Sequence, residues 1–244
     1  VETMKRETER ERIHANLLRA VSHDIRTPLT GIVGATDVLL EQEETLTAQQ
    51  RHQLAASANE DARWLIRIVE NLLSITRIGA QGDTKVTKTL AVAEEVIESA
   101  VSKFTSRCDR LSVHVHLPEE VLLVPMDELL IEQVLLNLLE NAQIHAEGAT
   151  QIDVTLEKHD TMARITVEDD GAGIPPEEVK TLFDSSAHQS QQGDNKRNMG
   201  IGLSVCKTVM QAHDGSIWGE NAKKGGARFV IELPMEEDTH ENQG

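Results

Sequence analysis

The 244 residues have room for one large domain or two ordinary ones, and 39% hydrophobic content supports a real core, built from Leu, Ile, Val and Ala because there is no Tyr and only three Phe and two Trp. The net charge of −17 argues against a nucleic-acid partner, which needs a basic face, and makes any polyphosphate site depend on local donors or a metal. Two cysteines, Cys108 and Cys206, exclude a disulfide framework and suit a reducing, cytoplasmic compartment. No apolar run approaches the roughly 20 residues of a transmembrane helix, and no signal peptide is visible. The chain opens at Val1 inside a charged run, so it reads as a fragment of something longer.

Residues 1–16 are mostly charged, without Gly or Pro, and read as a solvated helix or coiled-coil end. They run into Ser22-His23-Asp24-Ile25-Arg26-Thr27-Pro28-Leu29, where apolar residues recur at helical spacing: Leu18, Val21, Ile25, Leu29, Ile32 and Leu39. His23 falls off that stripe, on the solvent side. Its neighbour Asp24 can act as a base toward an imidazole nitrogen. Pro28 removes one backbone donor and should bend the helix. This helix should end near residues 41–44. A second opens at 46–48 with Thr45 or Thr47 as its cap, and Leu54, Ala58, Leu65, Ile68, Leu72 and Ile75 form its stripe, with Asp61 at the edge. Two such helices make an antiparallel hairpin whose core is too thin to stand alone. Pairing two copies into a four-helix bundle would bury the stripes, so burial predicts a homodimer.

Gly79-Ala80-Gln81-Gly82-Asp83 reads as a linker, dividing a helical domain (1–82) from a second domain (83–236) and a disordered acidic tail (237–244). In the second domain, strands are predicted at 86–90, 111–117, 121–126, 151–158, 162–169, 216–221 and 227–233. Helices are predicted at 92–104, at 127–146 with Asp127 as cap, and from Gly200 to about Ala212. His114 and His116 share the polar face of their strand, but no third metal ligand lies near them in sequence. The fold class is α+β: the helical hairpin followed by an α/β sandwich with helices on one face of a mixed sheet.

Three segments of this second domain carry unusual chemistry. Asn137 and Asn141 share one face of a strongly apolar helix, where two amides need partners; a phosphate or a hard metal ion would supply them, and Glu140 beside them could order or deprotonate a nucleophile. Helix-end amides bonded to loops are the structural alternative. Asp169-Asp170-Gly171-Ala172-Gly173-Ile174 follows a strand directly; its glycines admit a flat ligand and its carboxylate can accept from an exocyclic amine, although an ordinary turn has the same pattern. Gly200-Ile201-Gly202-Leu203 opens a helix and offers free N–H groups to phosphates. It is neither a Walker A loop nor a dinucleotide fingerprint. The polar run 185–198 between the last two segments reads as a lid.

In this order, the His23 octet, the Asn137/Asn141 helix, the Asp169 glycine box, Phe183 and the Gly200 glycine box resemble the kinase core of two-component sensor histidine kinases. The resemblance covers residues 12–235. Asn16 to Asp24 and Lys196 to Leu203 are most similar to the potassium-sensor (Kdp-type) branch. The resemblance implies the fold shared with gyrase, Hsp90 and MutL ATPases, with ATP and Mg²⁺ as cofactors. It implies a phosphorylated His23, Asp24 as its general base, and Thr27 positioning water for hydrolysis of the phospho-form. Asn137 and Asn141 would hold the Mg²⁺-triphosphate, with Asn141 on the metal. Asp169 would read adenine in a pocket shaped by Gly171, Gly173 and Ile174. His145, Phe183 and Leu203 would belong to the same site, and Gly200 and Gly202 would cradle phosphates. Phosphoryl would pass to the aspartate of a response-regulator receiver domain docked on the hairpin near Ile32. Membrane attachment would come only through an N-terminal sensor region outside this sequence.

The chain departs from the family pattern at four places. Ile144 stands where a lysine is common, and His145 where an aromatic is usual. The second aromatic after Phe183 is missing from Asp184-Ser185-Ser186, and Asn198 replaces the first glycine of the usual G-x-G-x-G. Lys196 and Arg197 are the candidates to replace the missing cation. These gaps leave a second reading open: a dimeric scaffold with an impaired nucleotide site that binds or dephosphorylates a regulator. A gyrase- or Hsp90-like conformational ATPase would have no use for the His23 octet.

Overall fold

The computed structural model describes residues 25–42, 45–79, 86–183 and 197–235. His23, Asp24, the 184–196 run with Lys196, and the tail beyond 235 lie outside the described residues. The chain divides into two units, Val1–Leu72 and Leu73–Gly244.

The first unit contains α1 (residues 25–41) and most of α2 (Ala48–Gly79). Thr47, not Thr45, caps α2. Its hydroxyl accepts the Gln50 N–H at 3.2 Å, and Gln50 Oε1 accepts the Thr47 N–H at 2.9 Å, a reciprocal capping box. The Thr45 hydroxyl instead donates to the Gln42 carbonyl. Gly31 on α1 lies against Asp61 on α2; a Cβ at Gly31 would collide with the carboxylate. These positions are about equally far from the turn, which is the pairing of an antiparallel hairpin. Pro28 and Ala35 are buried and Ile25, Ile32 and Leu39 are half-buried, at helical spacing. Leu29, expected on this stripe, is 50% exposed. It belongs with Val33 and Leu40 to a second stripe, because the apolar face is wider than one partner helix can cover. On α2, Ile68 is buried and Leu54, Ala58, Leu65 and Leu72 are half-buried, while Ile66 and Val69 stay exposed.

The second unit is built on a five-stranded mixed sheet in the order β2-β4-β5-β7-β6. Its strands are β2 (Ser112–His116), β4 (Gln151–His159), β5 (Met162–Asp169), β6 (Ser216–Asn221) and β7 (Ala227–Pro234). β2 runs parallel to β4, and the other neighbours are antiparallel. Period-2 alternation turns Ile152, Val154, Leu156, Ala163, Ile165 and Val167 into the core. The opposite face carries ion pairs, Arg164 with Glu232 and Arg228 with Glu168, both at 2.6 Å. His114 and His116 stand on this polar side beside Asp153, at 3.8 and 2.9 Å.

Helices α3 (Ala93–Thr105), α4 (Glu128–His145) and α5 (Arg197–Ala212) complete the core. Asp127 caps α4 as expected, its carboxylate accepting the N–H groups of Leu129 and Leu130. Two expectations are corrected. The segments predicted at 86–90 and 121–126 do not join the main sheet: β1 (Thr89–Val92) and β3 (Leu123–Met126) pair only with each other among the described strands, as a separate antiparallel ribbon. Pro125 in β3 lacks a ladder donor, which suits a ribbon edge and not a sheet interior. In addition, α5 begins at Arg197, so Gly200 lies within its first turn and not ahead of it.

His213, fully buried at the end of α5, joins two elements. Its Nδ1 donates to the Val209 carbonyl at 2.8 Å, and its Nε2 accepts the Asp127 N–H at 3.0 Å. These partners require the neutral ring, and burial above all holds its pKa below the ordinary histidine value. A depressed folded-state pKa means that this contribution to stability is complete above the unfolded value of about 6.5 and is lost as pH falls toward the folded value. His213→Leu leaves the Asp127 N–H buried and unpaired, and should cost about 1–3 kcal/mol at pH 7.5. The difference from the parent should shrink at pH 5.5, as measured by urea unfolding of the full chain at both pH values.

Candidate nucleotide-binding site

The end of α4, the loop after β5 and the β6–β7 turn meet around Asp169, which is 5% exposed. Its Oδ1 accepts the N–H of Gly171 at 2.9 Å and that of Ala227 at 3.2 Å. Its Oδ2 has no hydrogen bond among the described residues. Burial, working against those two N–H groups, raises the carboxyl above its ordinary pKa, and Asp170 and Glu168 push the same way. Gly226 makes this approach possible: its φ is 89°, and a Cβ there would run into the Asp169 backbone carbonyl.

The glycine loop is held from both sides. The Ala172 N–H reaches the Glu147 carbonyl just past α4 at 3.2 Å, and Gly171 packs on Ala146. On the other side, Asn221 Oδ1 accepts the Ile174 N–H at 2.6 Å, and Asn221 Nδ2 donates to the Ile174 carbonyl at 2.8 Å. Gly173 between them has φ 80° and approaches the Asn221 side chain too closely for a Cβ. Ile174 is buried beneath the loop. Asp170 points to a different task. Its carboxylate takes the hydroxyl and N–H of Thr150, both at 2.7 Å, and the N–H of Gln151 at 3.0 Å. The Thr150 hydroxyl, with these N–H groups, lowers its pKa to about 2.

Asn137 and Asn141 lie four residues apart on α4, and both are buried. Their environments differ. Asn137 shares a side-chain hydrogen bond with Cys206 of α5, whose thiol burial pushes up to about 12. Asn141 Nδ2 is buried with no hydrogen-bond partner among the described residues. An unpaired buried NH₂ is costly unless a ligand accepts from it, so this orphan donor fits a phosphate oxygen, and the amide oxygen beside it is of the type that holds a hard cation. Glu140 and His145 are half-buried on α4, and Ile144 is 39% exposed. Phe183 packs part-buried against the core. Gly202 is half-buried and Leu203 fully buried on α5, with Arg197 and Gly200 in its first turn. Thr27 is exposed on α1. Sequence reasoning missed Asn221, Gly226 and the anchoring by Thr150. The Lys224-Gly225-Gly226 turn falls between two predicted strands, but its contact with Asp169 is a product of the sheet order.

Residues 14–81 match the His Kinase A (phospho-acceptor) domain, and residues 126–237 match the family of histidine kinase-, DNA gyrase B- and HSP90-like ATPases. The chain belongs to the sensor histidine kinases. The two matches stand in the order set out by the His23 octet and the Asp169 box. This histidine kinase core is 40% identical over 238 residues to the sensor protein KdpD of Clostridium acetobutylicum, an alignment covering 96% of the chain and 26% of that protein. The chain thus spans about a quarter of the length of such curated relatives. It is 30% identical to the catalytic domain of histidine kinase ThkA, covering 61% of this chain and 95% of that one at a TM-score of 0.51. The structure of ThkA in complex with the response regulator protein TrrA shares the fold at 24% identity and a TM-score of 0.66, over 96% of this chain and 65% of that one. Among the described residues, no helix is long and apolar enough to cross a membrane.

Asp169→Asn separates binding from stability in this histidine kinase core. The amide oxygen can keep both backbone N–H groups, while the new NH₂ takes the place of the open acceptor. A carboxyl with a raised folded-state pKa gives stability below its unfolded value and loses it as pH rises through the folded one. The neutral variant should therefore match or exceed the parent's thermal midpoint at pH 7.5. It should bind ATP at least about tenfold more weakly, by calorimetry beside a melting curve.

Proposed function

We propose that the chain is the catalytic core of an ATP-dependent protein histidine kinase in two-component signalling. His23, with Asp24 drawing off its ring proton, takes the γ-phosphoryl group of ATP and later gives it to an aspartate of a response-regulator receiver domain. Thr27, four residues on in the sequence, positions water when phosphoryl is removed by hydrolysis. The observation that carries this reading is the buried Asp169 carboxylate, with one oxygen fixed by two backbone N–H groups and the other left as an acceptor for the exocyclic amine of adenine.

The other residues take roles around it. Gly171, Gly173 and Ile174 shape the adenine pocket, and His145, Phe183 and Leu203 belong to the same site. Asn137 and Asn141 serve the triphosphate, and Asn141 holds Mg²⁺ through its amide oxygen. Bound Mg²⁺ supplies charge neutralisation for phosphoryl transfer. Glu140 orders the reacting groups, and Gly200 and Gly202, which carry no Cβ, let the first turns of α5 come close to the phosphates. Lys196 and Arg197 supply the cation that Ile144 does not. The domain division is 1–82 for dimerisation and phosphoacceptance and 83–236 for catalysis, with 237–244 as a tail.

Exposed Leu29, Val33, Leu40, Ile66 and Val69 support a homodimer, since a second hairpin would cover them. The ThkA–TrrA complex supports a response-regulator partner, and the exposed hairpin near Ile32 is where this reading docks its receiver domain. Likeness to the sensor protein KdpD, of which the chain matches about a quarter, supports the Kdp-type branch and a core that works within a longer sensor protein; in this reading that sensor is membrane-bound and the core lies on its cytoplasmic side.

The decisive test is label transfer from γ-labelled ATP with Mg²⁺ to the chain and to His23→Gln. Label on the parent alone, lost in acid and kept in alkali, is the expected outcome. ATP binding without label would instead favour the scaffold. A second expectation concerns Arg197→Ala: removal of a charged phosphate contact should weaken MgATP binding about tenfold or more. Unchanged affinity would leave Ile144 uncompensated.

A further inference from the structure

Asn221 and Ala227 are direct cross-strand partners at the end of the β6–β7 hairpin. Each holds a different wall of the candidate adenine pocket. The Ala227 N–H fixes Oδ1 of Asp169. The Asn221 amide grips the peptide of Ile174 from both sides, donating to its carbonyl and accepting its N–H. The carboxylate and the glycine loop are therefore spaced by one rung of one ladder. Asn221 is well suited to this. Its side chain offers one donor and one acceptor in a fixed plane, and both are used on a single residue 47 positions away. The gap at Gly173 is also filled by Asn221 Oδ1, which would lie 2.7 Å from a Cβ there. The amide packs against the loop along its length and not only at one hydrogen bond.

We propose that Asn221 is a positioning residue for base selection: it sets the distance between the glycine loop and Asp169, and so makes the pocket discriminate 6-amino from 6-oxo purines. The proposal rests on the reading of Asp169 as the adenine acceptor. Asn221 touches no reacting atom; it acts through the Ile174 peptide. Without its grip the loop gains freedom, and the open oxygen of Asp169 no longer meets a base held in one plane. The residues assigned to the triphosphate, Asn137 and Asn141, lie on α4, and neither bonds to Asn221, whose amide is used on Ile174.

The experiment compares ATP with inosine triphosphate, which carries a carbonyl where adenine carries its amine. Affinities for both, with Mg²⁺, are measured by calorimetry on the full chain and on Asn221→Ala and Asn221→Asp, with melting curves for each. The parent should prefer ATP about tenfold or more, the worth of one good hydrogen bond at a site that otherwise leaves an acceptor unpaired. Asn221→Ala should lose most of that preference, bringing the ratio below about threefold, with affinity for inosine triphosphate changing little. Asn221→Asp keeps the acceptor for the Ile174 N–H and loses the donor, so its ratio should fall between the two. Its added charge weakens both nucleotides alike and leaves the ratio untouched. If both variants retain the parental ratio, whatever their melting temperatures, Asn221 is only a structural clamp and the proposal is overturned. If the parent itself shows no preference for ATP, the reading of Asp169 fails first, a result distinct from failure at Asn221.

Discussion

Asp169 sits where a strand ends, a glycine loop begins and a hairpin turns back. Its Oδ1 is the common acceptor of N–H groups from Gly171 and Ala227, residues far apart in sequence. That shared oxygen ties the strand to the loop on one side and to the neighbouring strand on the other. The arrangement carries an electrostatic cost, since a buried carboxyl beside Asp170 and Glu168 is reluctant to ionise. Two backbone donors offset part of that cost. The rest remains as an acceptor that the protein itself does not satisfy, which is what a ligand-binding group requires.

The surrounding fold supports this geometry. The β4–β5–β7–β6 ladder fixes Ala227 opposite Asn221, and Gly226 lets the hairpin turn come up against the Asp169 backbone. Asp127 and His213 play a similar part at the other end of the unit. The helix cap and the buried imidazole together connect the start of α4 to the end of α5. The site's amides are therefore presented by helices tied at their far ends.

Local chemistry was readable in the sequence. Asp127 before an apolar helix, the alternation of the 151–158 and 162–169 segments, and the order of the glycine boxes led to elements that the fold contains. What escaped the reading was non-local. Thr89–Val92 and Leu123–Met126 alternate like any strand, and nothing local says that they pair apart from the main sheet. Leu29 keeps the same helical period as its buried neighbours, so only the limited width of one partner helix tells the two stripes apart. Arg197 lies in a polar run without periodicity, so the start of α5 was assigned to the glycines instead. Asn221 looked like an ordinary strand-end residue, because its partner at Ile174 is brought to it only by the sheet order.

The two adjacent aspartates of the glycine box lead opposite electrostatic lives. Asp170, gripped by Thr150 and Gln151, stays ionised until the medium reaches about pH 2. Asp169, deprived of water, holds its proton to higher pH than a free carboxyl would. One member is thus a constant charge and the other a variable one. Of the two, Asp169 takes up its proton first as pH falls, while its neighbour keeps its charge. Within the pair, the carboxylate that is tied to the scaffold is the fixed charge, and the one left open for a ligand is the one that answers to pH.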